Sequence, residues 1–366
     1  MNAPGRANGV PTPNPELTYL IPGQGGDPRG ALRGLYDAAN AEPWIRAAID
    51  EVFAEVEPVG AAHGLGPVGE VLLRTERPGQ PGHAEQPGQP GHAERRAPMP
   101  PGMAPLAAYT ASIALHRVLA DADVRPERVI GQSFGEIATL VCAGAFTVAE
   151  GATAVCALSE AFRIAQGRGG MVLVRASQAD TEKILAGLMR PELVVACVDA
   201  PDETIVSGPN DAVDALLALR NRDGGEFADS EFGDGGDLPP LVRLAVPYAS
   251  HHPDLRPVAE RFRAGLQPLR QRPLACEVLS PVRRRAYADT DDLRDALADC
   301  VIKPVHLIES FETLPRAAHD STPFFIEIGV GASLCRCARA TLPGARTLAP
   351  LSNPLRAREL LRPLIP

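Results

Sequence analysis

The sequence predicts an α/β protein, and three observations carry that expectation. Short runs rich in β-branched and apolar residues alternate with longer segments whose apolar positions recur at helical spacing. One of these runs, Val129-Ile130, enters Gly131-Gln132-Ser133-Phe134-Gly135 and then a small-residue helix, the strand–turn–helix pattern of a nucleophile elbow. The chain also has 366 residues, more than one hydrophobic core ordinarily serves, so a large unit carrying a smaller insertion is expected.

The elbow has a physical basis. Serine on a sharp turn needs neighbours without side chains, because the strand and helix close in on both sides. Ser133 is therefore a candidate nucleophile. The backbone N–H of Phe134 falls at the start of the following helix, where unpaired donors favour a developing oxyanion. An earlier strand, Leu17 to Ile21, ends in Pro22-Gly23-Gln24-Gly25-Gly26. Neither Gly-Lys-Ser/Thr nor a complete Gly-x-Gly-x-x-Gly follows, so a nucleotide loop is disfavoured. The alternative use is to bring the Gln24 N–H to the site as a second oxyanion donor.

Composition excludes several function classes. Hydrophobic residues make up 45% and charged residues 22%, as in ordinary globular proteins. No apolar run is long enough for a membrane span, and the first 15 residues lack the apolar segment of a secretion signal. A cytoplasmic location is the expectation. A net charge of −9 disfavours nucleic acid as a partner. The seven scattered cysteines read as reduced thiols, and Cys335-Arg336-Cys337 has neither zinc nor redox spacing, so no metal is expected.

Residues 1–16 read as a disordered leader. Apolar spacing predicts two short helices over 30–57. Pro-Gly-Gln-Pro-Gly-His-Ala-Glu occurs at 78–85 and again at 87–94, so 78–97 is expected to be a flexible surface loop, with His83 and His92 incidental to it. Helices are predicted over 104–119, 136–146 and 148–166. Strands at 171–174, 193–198, 204–207 and 241–246, with helices at 181–189 and 212–222, form a β-α-β-β-α-β order. That order predicts a ferredoxin-like unit over 168–246, inserted into a larger one. After it, Tyr248-Ala249-Ser250-His251-His252 places a histidine beyond a strand end, where a general base for Ser133 can sit. A helix over 255–266 and strands at 278–280 and 324–328 complete the larger unit.

These motifs, together with Gly169-Gly170-Met171, Val206-Ser207-Gly208, Lys303-Pro304-Val305 and Phe325-Ile326-Glu327-Ile328-Gly329, resemble malonyl-CoA:acyl carrier protein transacylases and polyketide synthase acyltransferase domains. The resemblance covers about 17–350. It implies an α/β-hydrolase-like large subdomain (17–167 and 247–366) and a ferredoxin-like small subdomain (168–246), with the site between them. It further implies ping-pong transfer from an acyl-CoA or acyl carrier thioester, through acyl-Ser133, to the phosphopantetheine thiol of an acyl carrier protein, with no bound cofactor. His251 is then the general base, and the N–H groups of Gln24 and Phe134 form the oxyanion hole. The resemblance also implies that a backbone carbonyl, rather than an acidic residue, orients the imidazole.

The sequence departs from that family where the acyl group is read. Members using malonyl or methylmalonyl groups carry an arginine for the free carboxylate, and gap-free alignment puts Leu158 at its position. Arg163 lies five residues on, about 140° around a helix, and does not replace it. A buried carboxylate without a partner is costly, so an acyl group without one is expected. Tyr248-Ala249-Ser250-His251 is associated in polyketide acyltransferases with α-substituted units, which suggests a branched, propionyl, aminoacyl or dipeptidyl group. Asp199 replaces the usual asparagine and His252 the usual serine, and with Leu158, Tyr248 and Ser250 they are the expected pocket residues. An editing hydrolase on the same scaffold and a non-catalytic carrier-binding module are the competing readings. The absence of ketosynthase and carrier motifs suggests action in trans. Arg283-Arg284-Arg285, the densest basic run, is the candidate surface for an acidic carrier protein, with a solvated charge run as the plain alternative.

Overall fold

A computed structural model of the chain describes residues 17–37, 42–74, 99–219, 238–314 and 323–365. The expected leader (1–16) and repeat loop (78–97) lie outside these residues. The strands are β1 (Leu17–Ile21), β2 (Arg128–Gly131), β3 (Gly170–Val174), β4 (Val194–Ala200), β5 (Glu203–Gly208), β6 (Leu241–Arg243), β7 (Glu277–Ser280), β8 (Arg285–Ala286), β9 (Val305–His306), β10 (Phe324–Glu327) and β11 (Arg346–Leu348). The helices are α1 (Arg33–Asp37), α2 (Pro43–Ala62), α3 (Val68–Leu73), α4 (Met103–Asp121), α5 (Gly135–Cys142), α6 (Val148–Phe162), α7 (Gln178–Leu188), α8 (Asn210–Ala218), α9 (Arg256–Gly265), α10 (Leu293–Ile302), α11 (Leu307–Glu312), α12 (Ser333–Thr341) and α13 (Ala357–Leu361).

Six strands form the larger sheet in the order β11-β10-β1-β2-β7-β8. Its pairings are parallel except for β7 with β8. β1 is central and buried on both faces, which is why it reads as a continuous apolar run. Tyr19 and Ile21 enter the core shared with α2, α4, α5 and α6, while Leu20 enters a second core with Phe311, Phe325 and Leu334. Alternation along one strand thus joins two helical layers. The helix expected over 136–146 ends earlier, at Cys142. Gly144 has φ +80, and Thr147 with Glu150 forms a capping box that starts α6.

The second sheet runs β6-β3-β5-β4-β9. β3 pairs antiparallel with both β5 and β6, and β4 pairs antiparallel with β5. Val172, Val174, Ile184, Val206 and Leu216 make its core with α7 and α8. The expected strand 241–246 stops at Arg243: after one further bond, from the Leu244 N–H to the Met171 carbonyl, Leu244 and Val246 line the cleft instead. β9 pairs parallel with β4 although it lies in the segment assigned to the large unit. The expected boundaries therefore miss one strand, whose two residues carry no periodic signal. The fold is an α/β-hydrolase-like large subdomain with an inserted ferredoxin-like small one. No described helix is long and apolar enough to cross a membrane.

Candidate active site

Ser133 sits between β2 and α5 with φ +54, a left-handed backbone that non-glycine residues seldom adopt. Its neighbours explain how the turn closes. A Cβ on Gly135 would overlap the Ile21 carbonyl, and one on Gly131 would overlap the Thr139 hydroxyl. One turn further on, the buried Glu136 carboxylate accepts from the Ser280 hydroxyl at 2.7 Å and from the Tyr287 hydroxyl. Burial raises its pKa, and these bonds oppose the rise. They tie α5 to β7 and its neighbour, so the elbow is braced from both sides.

His251 comes from the loop after β6, and it too has a left-handed backbone, φ +59. Its N–H donates to the Val301 carbonyl at 2.9 Å. The imidazole bridges two groups: Nε2 lies 2.8 Å from Ser133 Oγ, and Nδ1 lies 2.9 Å from the Lys303 carbonyl oxygen. A carbonyl can only accept, so Nδ1 carries the proton and Nε2 presents its lone pair to the serine. The ring is 3% exposed, and burial pushes its pKa down to about 4, partly offset by the Lys303 carbonyl. Two residues with left-handed backbones whose side chains meet at 2.8 Å are typical of a functional site.

The two residues open on a cavity of about 120 Å³ between the sheets. Gln24 and Phe134 line it, and their backbone N–H groups donate to no acceptor among the described residues. Leu158, Tyr248 and Ser250 line it as well, together with Phe162, Met171, Phe262, Leu297 and Cys300. Among the described residues no arginine, lysine, aspartate or glutamate lines this cavity. Tyr248 stacks on Phe162 at 4.2 Å between centroids, and its hydroxyl donates to Gln24 Oε1 at 2.8 Å.

Three expectations are corrected. His252 does not line the cavity: it is buried with Nε2 2.9 Å from the Glu192 carbonyl oxygen, while Nδ1 accepts from the Asp254 N–H. In this arrangement Nε2 bears the proton, and the ring ties the loop to the small subdomain. Asp199 does not line it either. It is buried beside the Gln132 side chain, its pKa raised to about 7 by burial and held back by Gln132, and its Oδ1 has no partner among the described residues. Arg283, Arg284 and Arg285 form no unpaired basic patch: they pair with Asp299, Glu309 and Asp291. Sequence reasoning missed the Lys303 carbonyl because a backbone acceptor has no side-chain signature. It also missed Phe162 and Phe262, which fall in helices expected over 148–166 and 255–266, and Cys300, which read only as one of the scattered thiols.

Residues 103–280 match the family of the acyl transferase domain. That segment, just under half of the chain, is similar to acyl transferase domains. Among curated relatives, one subunit of the phenolphthiocerol/phthiocerol polyketide synthase of Mycobacterium tuberculosis is 30% identical over 242 residues, 64% of this chain and 12% of that protein. The chain thus spans about an eighth of that relative's length. The solved acyl transferase domain of SpnD, in complex with 2-(pent-4-yn-1-yl)malonyl, is 26% identical with a TM-score of 0.73, over 97% of this chain and 77% of that one. Malonyl CoA-acyl carrier protein transacylase from Clostridium perfringens shares the fold, with 21% identity, a TM-score of 0.71 and coverage of 95% and 96%.

Proposed function

We propose that this chain transfers an acyl group with no free carboxylate from a CoA or carrier-protein thioester to the phosphopantetheine thiol of an acyl carrier protein in polyketide biosynthesis. The observation that carries the reading is a Ser133–His251 pair at 2.8 Å opening on a cavity without a cationic lining residue among the described residues. A carboxylate buried there would have no partner and would cost several kcal/mol, on the order of a thousandfold or more in binding. The match to the acyl transferase domain supplies the reaction class.

Each step follows from the named atoms. As Ser133 Oγ attacks the thioester carbonyl carbon, its proton passes to His251 Nε2, and the new oxyanion is met by the N–H groups of Gln24 and Phe134. Collapse breaks the C–S bond, and the thiolate leaves with the proton from Nε2. The acyl-Ser133 ester remains. The carrier thiol then gives its proton to Nε2 and attacks the ester, and the Ser133 oxygen departs with that proton. The Lys303 carbonyl receives the Nδ1–H throughout, so the tautomer is maintained without an acidic third residue.

Intact-mass measurement of wild type and Ser133→Ala with malonyl-, acetyl-, propionyl- and isobutyryl-CoA and with aminoacyl carrier protein tests the proposal. Ser133-dependent labelling by groups without a carboxylate, discharged by a carrier thiol, is expected. Preferential labelling by malonyl-CoA would overturn the substrate class. Discharge by water that an acceptor does not accelerate would overturn transfer in favour of hydrolysis.

A further inference from the structure

The Gly-rich loop after β1 is held unevenly. Gly23 lies against the Gln132 carbonyl, with a built Cβ 3.0 Å from its oxygen, and Gly26 packs on Val330, but a Cβ on Gly25 would meet nothing within 4 Å. Gln24, between the packed and the open positions, is itself exposed. Its side chain nonetheless has one long-range partner, the Tyr248 hydroxyl, 2.8 Å away and 224 residues later in the chain. Tyr248 is fixed in turn by stacking on Phe162 at the end of α6, with planes 26° apart. It lies three residues before His251, on the same loop. One hydrogen bond thus joins the loop that carries the base to the loop that carries a donor for the oxyanion.

We infer that Tyr248 is a positioning residue for the oxyanion hole: with Phe162 behind it, its hydroxyl holds the Gln24 side chain and thereby sets the direction of the Gln24 backbone N–H. This rests on the transfer reading above for the role of that N–H. The physical case is one of preorganisation. A donor aids an oxyanion only if it is already aimed when charge develops, and a glycine-flanked residue has backbone freedom that something else must remove. Neither backbone packing at Gly25 nor burial of Gln24 removes it. The Tyr248 hydroxyl does. The same contact makes the site sensitive to whatever displaces the tyrosine ring from Phe162, because ring and hydroxyl move together.

Tyr248 in this role differs from a plain wall of the acyl cavity. As a wall it would alter which acyl groups fit. As a positioning residue it alters the rate for all of them. The two roles predict different kinetics, and the side chain of Gln24 discriminates between them, since Gln24→Ala keeps the backbone N–H and removes only its tether.

The experiment compares wild type, Gln24→Ala, Tyr248→Phe and the double variant, using acyl-N-acetylcysteamine thioesters of two sizes and following Ser133 acylation by mass. Each single change is expected to lower the acylation rate constant about threefold to tenfold, the range of one ordinary hydrogen bond, with KM nearly unchanged and the same factor for both acyl sizes. The double variant should be no slower than either single one, because both remove the same bond. Additive losses, or a Tyr248→Phe effect confined to KM or to one acyl size, would overturn the inference. Hydrogen–deuterium exchange of the peptide spanning residues 20–28 gives a readout independent of turnover. Tyr248→Phe should speed exchange there, and unchanged exchange would refute the tether. A wild type that no thioester acylates would instead refute the transferase reading, with the exchange result still deciding the tether.

Discussion

The Nδ1 of His251 is hydrogen-bonded to the Lys303 carbonyl oxygen at 2.9 Å, so the group that orients the candidate base is part of the backbone. The Lys303 side chain points elsewhere, pairing with Asp299 at 2.8 Å near the surface. Such an exposed pair contributes less than about 1 kcal/mol. Lys303→Ala should therefore keep the acylation rate within about twofold of wild type. A loss of a hundredfold in a folded Lys303→Ala protein would show that the side chain, and not the carbonyl, serves His251.

Burial holds the His251 pKa near 4, which separates it from ordinary histidines at 6.5. The base is neutral, and so competent, across the neutral range. The rate of Ser133 acylation should stay level as pH falls from about 8 to about 5, and drop by half near pH 4. A midpoint near 6.5 in the acylation profile would contradict a buried, neutral ring.

The same shift links to stability. Between pH 6.5 and about 4 the unfolded chain binds a proton at residue 251 that the folded chain does not, so folding free energy declines as pH falls through that window. At about 1.4 kcal/mol per pH unit the loss attributable to this group reaches roughly 3 kcal/mol. His251→Gln should flatten that part of the pH dependence in urea titrations. An unaltered curve would assign the loss to other groups.

Leu158 is 7% exposed on the cavity face of α6. Leu158→Arg introduces a bidentate cation where the resembling family reads a carboxylate. Malonyl-CoA should then label Ser133 at least about tenfold faster than it labels wild type, with propionyl-CoA slowed. A folded Leu158→Arg protein that gains no malonyl labelling would mean that Leu158 does not face the acyl group.

His252, adjacent to the base, is tied to the Glu192 carbonyl and not to the cavity. His252→Ala should lower stability by about 1–2 kcal/mol, through the lost bond and the space left behind, with little change in acyl selectivity. A selectivity change without loss of stability would return His252 to the pocket.

How much of this was legible beforehand depends on how local the cause is. The elbow at Ser133 was readable because strand, turn and helix are contiguous and each glycine is required by a neighbour within that short span or by β1. Helix α6 and its capping box are equally local. The two-residue strand β9 was not readable, since it exists only by pairing with β4. Arg283, Arg284 and Arg285 illustrate the same limit: the sequence shows three adjacent cations, and only the folded chain brings Asp299, Glu309 and Asp291 to neutralise them.

Residue identity and short spacing suffice for the elbow turn that presents Ser133, whereas the role expected of His251 and the significance of Leu158 at its position came from the resemblance to the acyltransferase family. Folding was needed to bring the Lys303 carbonyl to His251 and Tyr248 to Gln24, and to turn His252 and Asp199 away from the cavity. These are contacts between segments far apart in the chain, or directions taken by single side chains. They are set by the packing of two sheets against each other, and neither residue type nor periodicity encodes them.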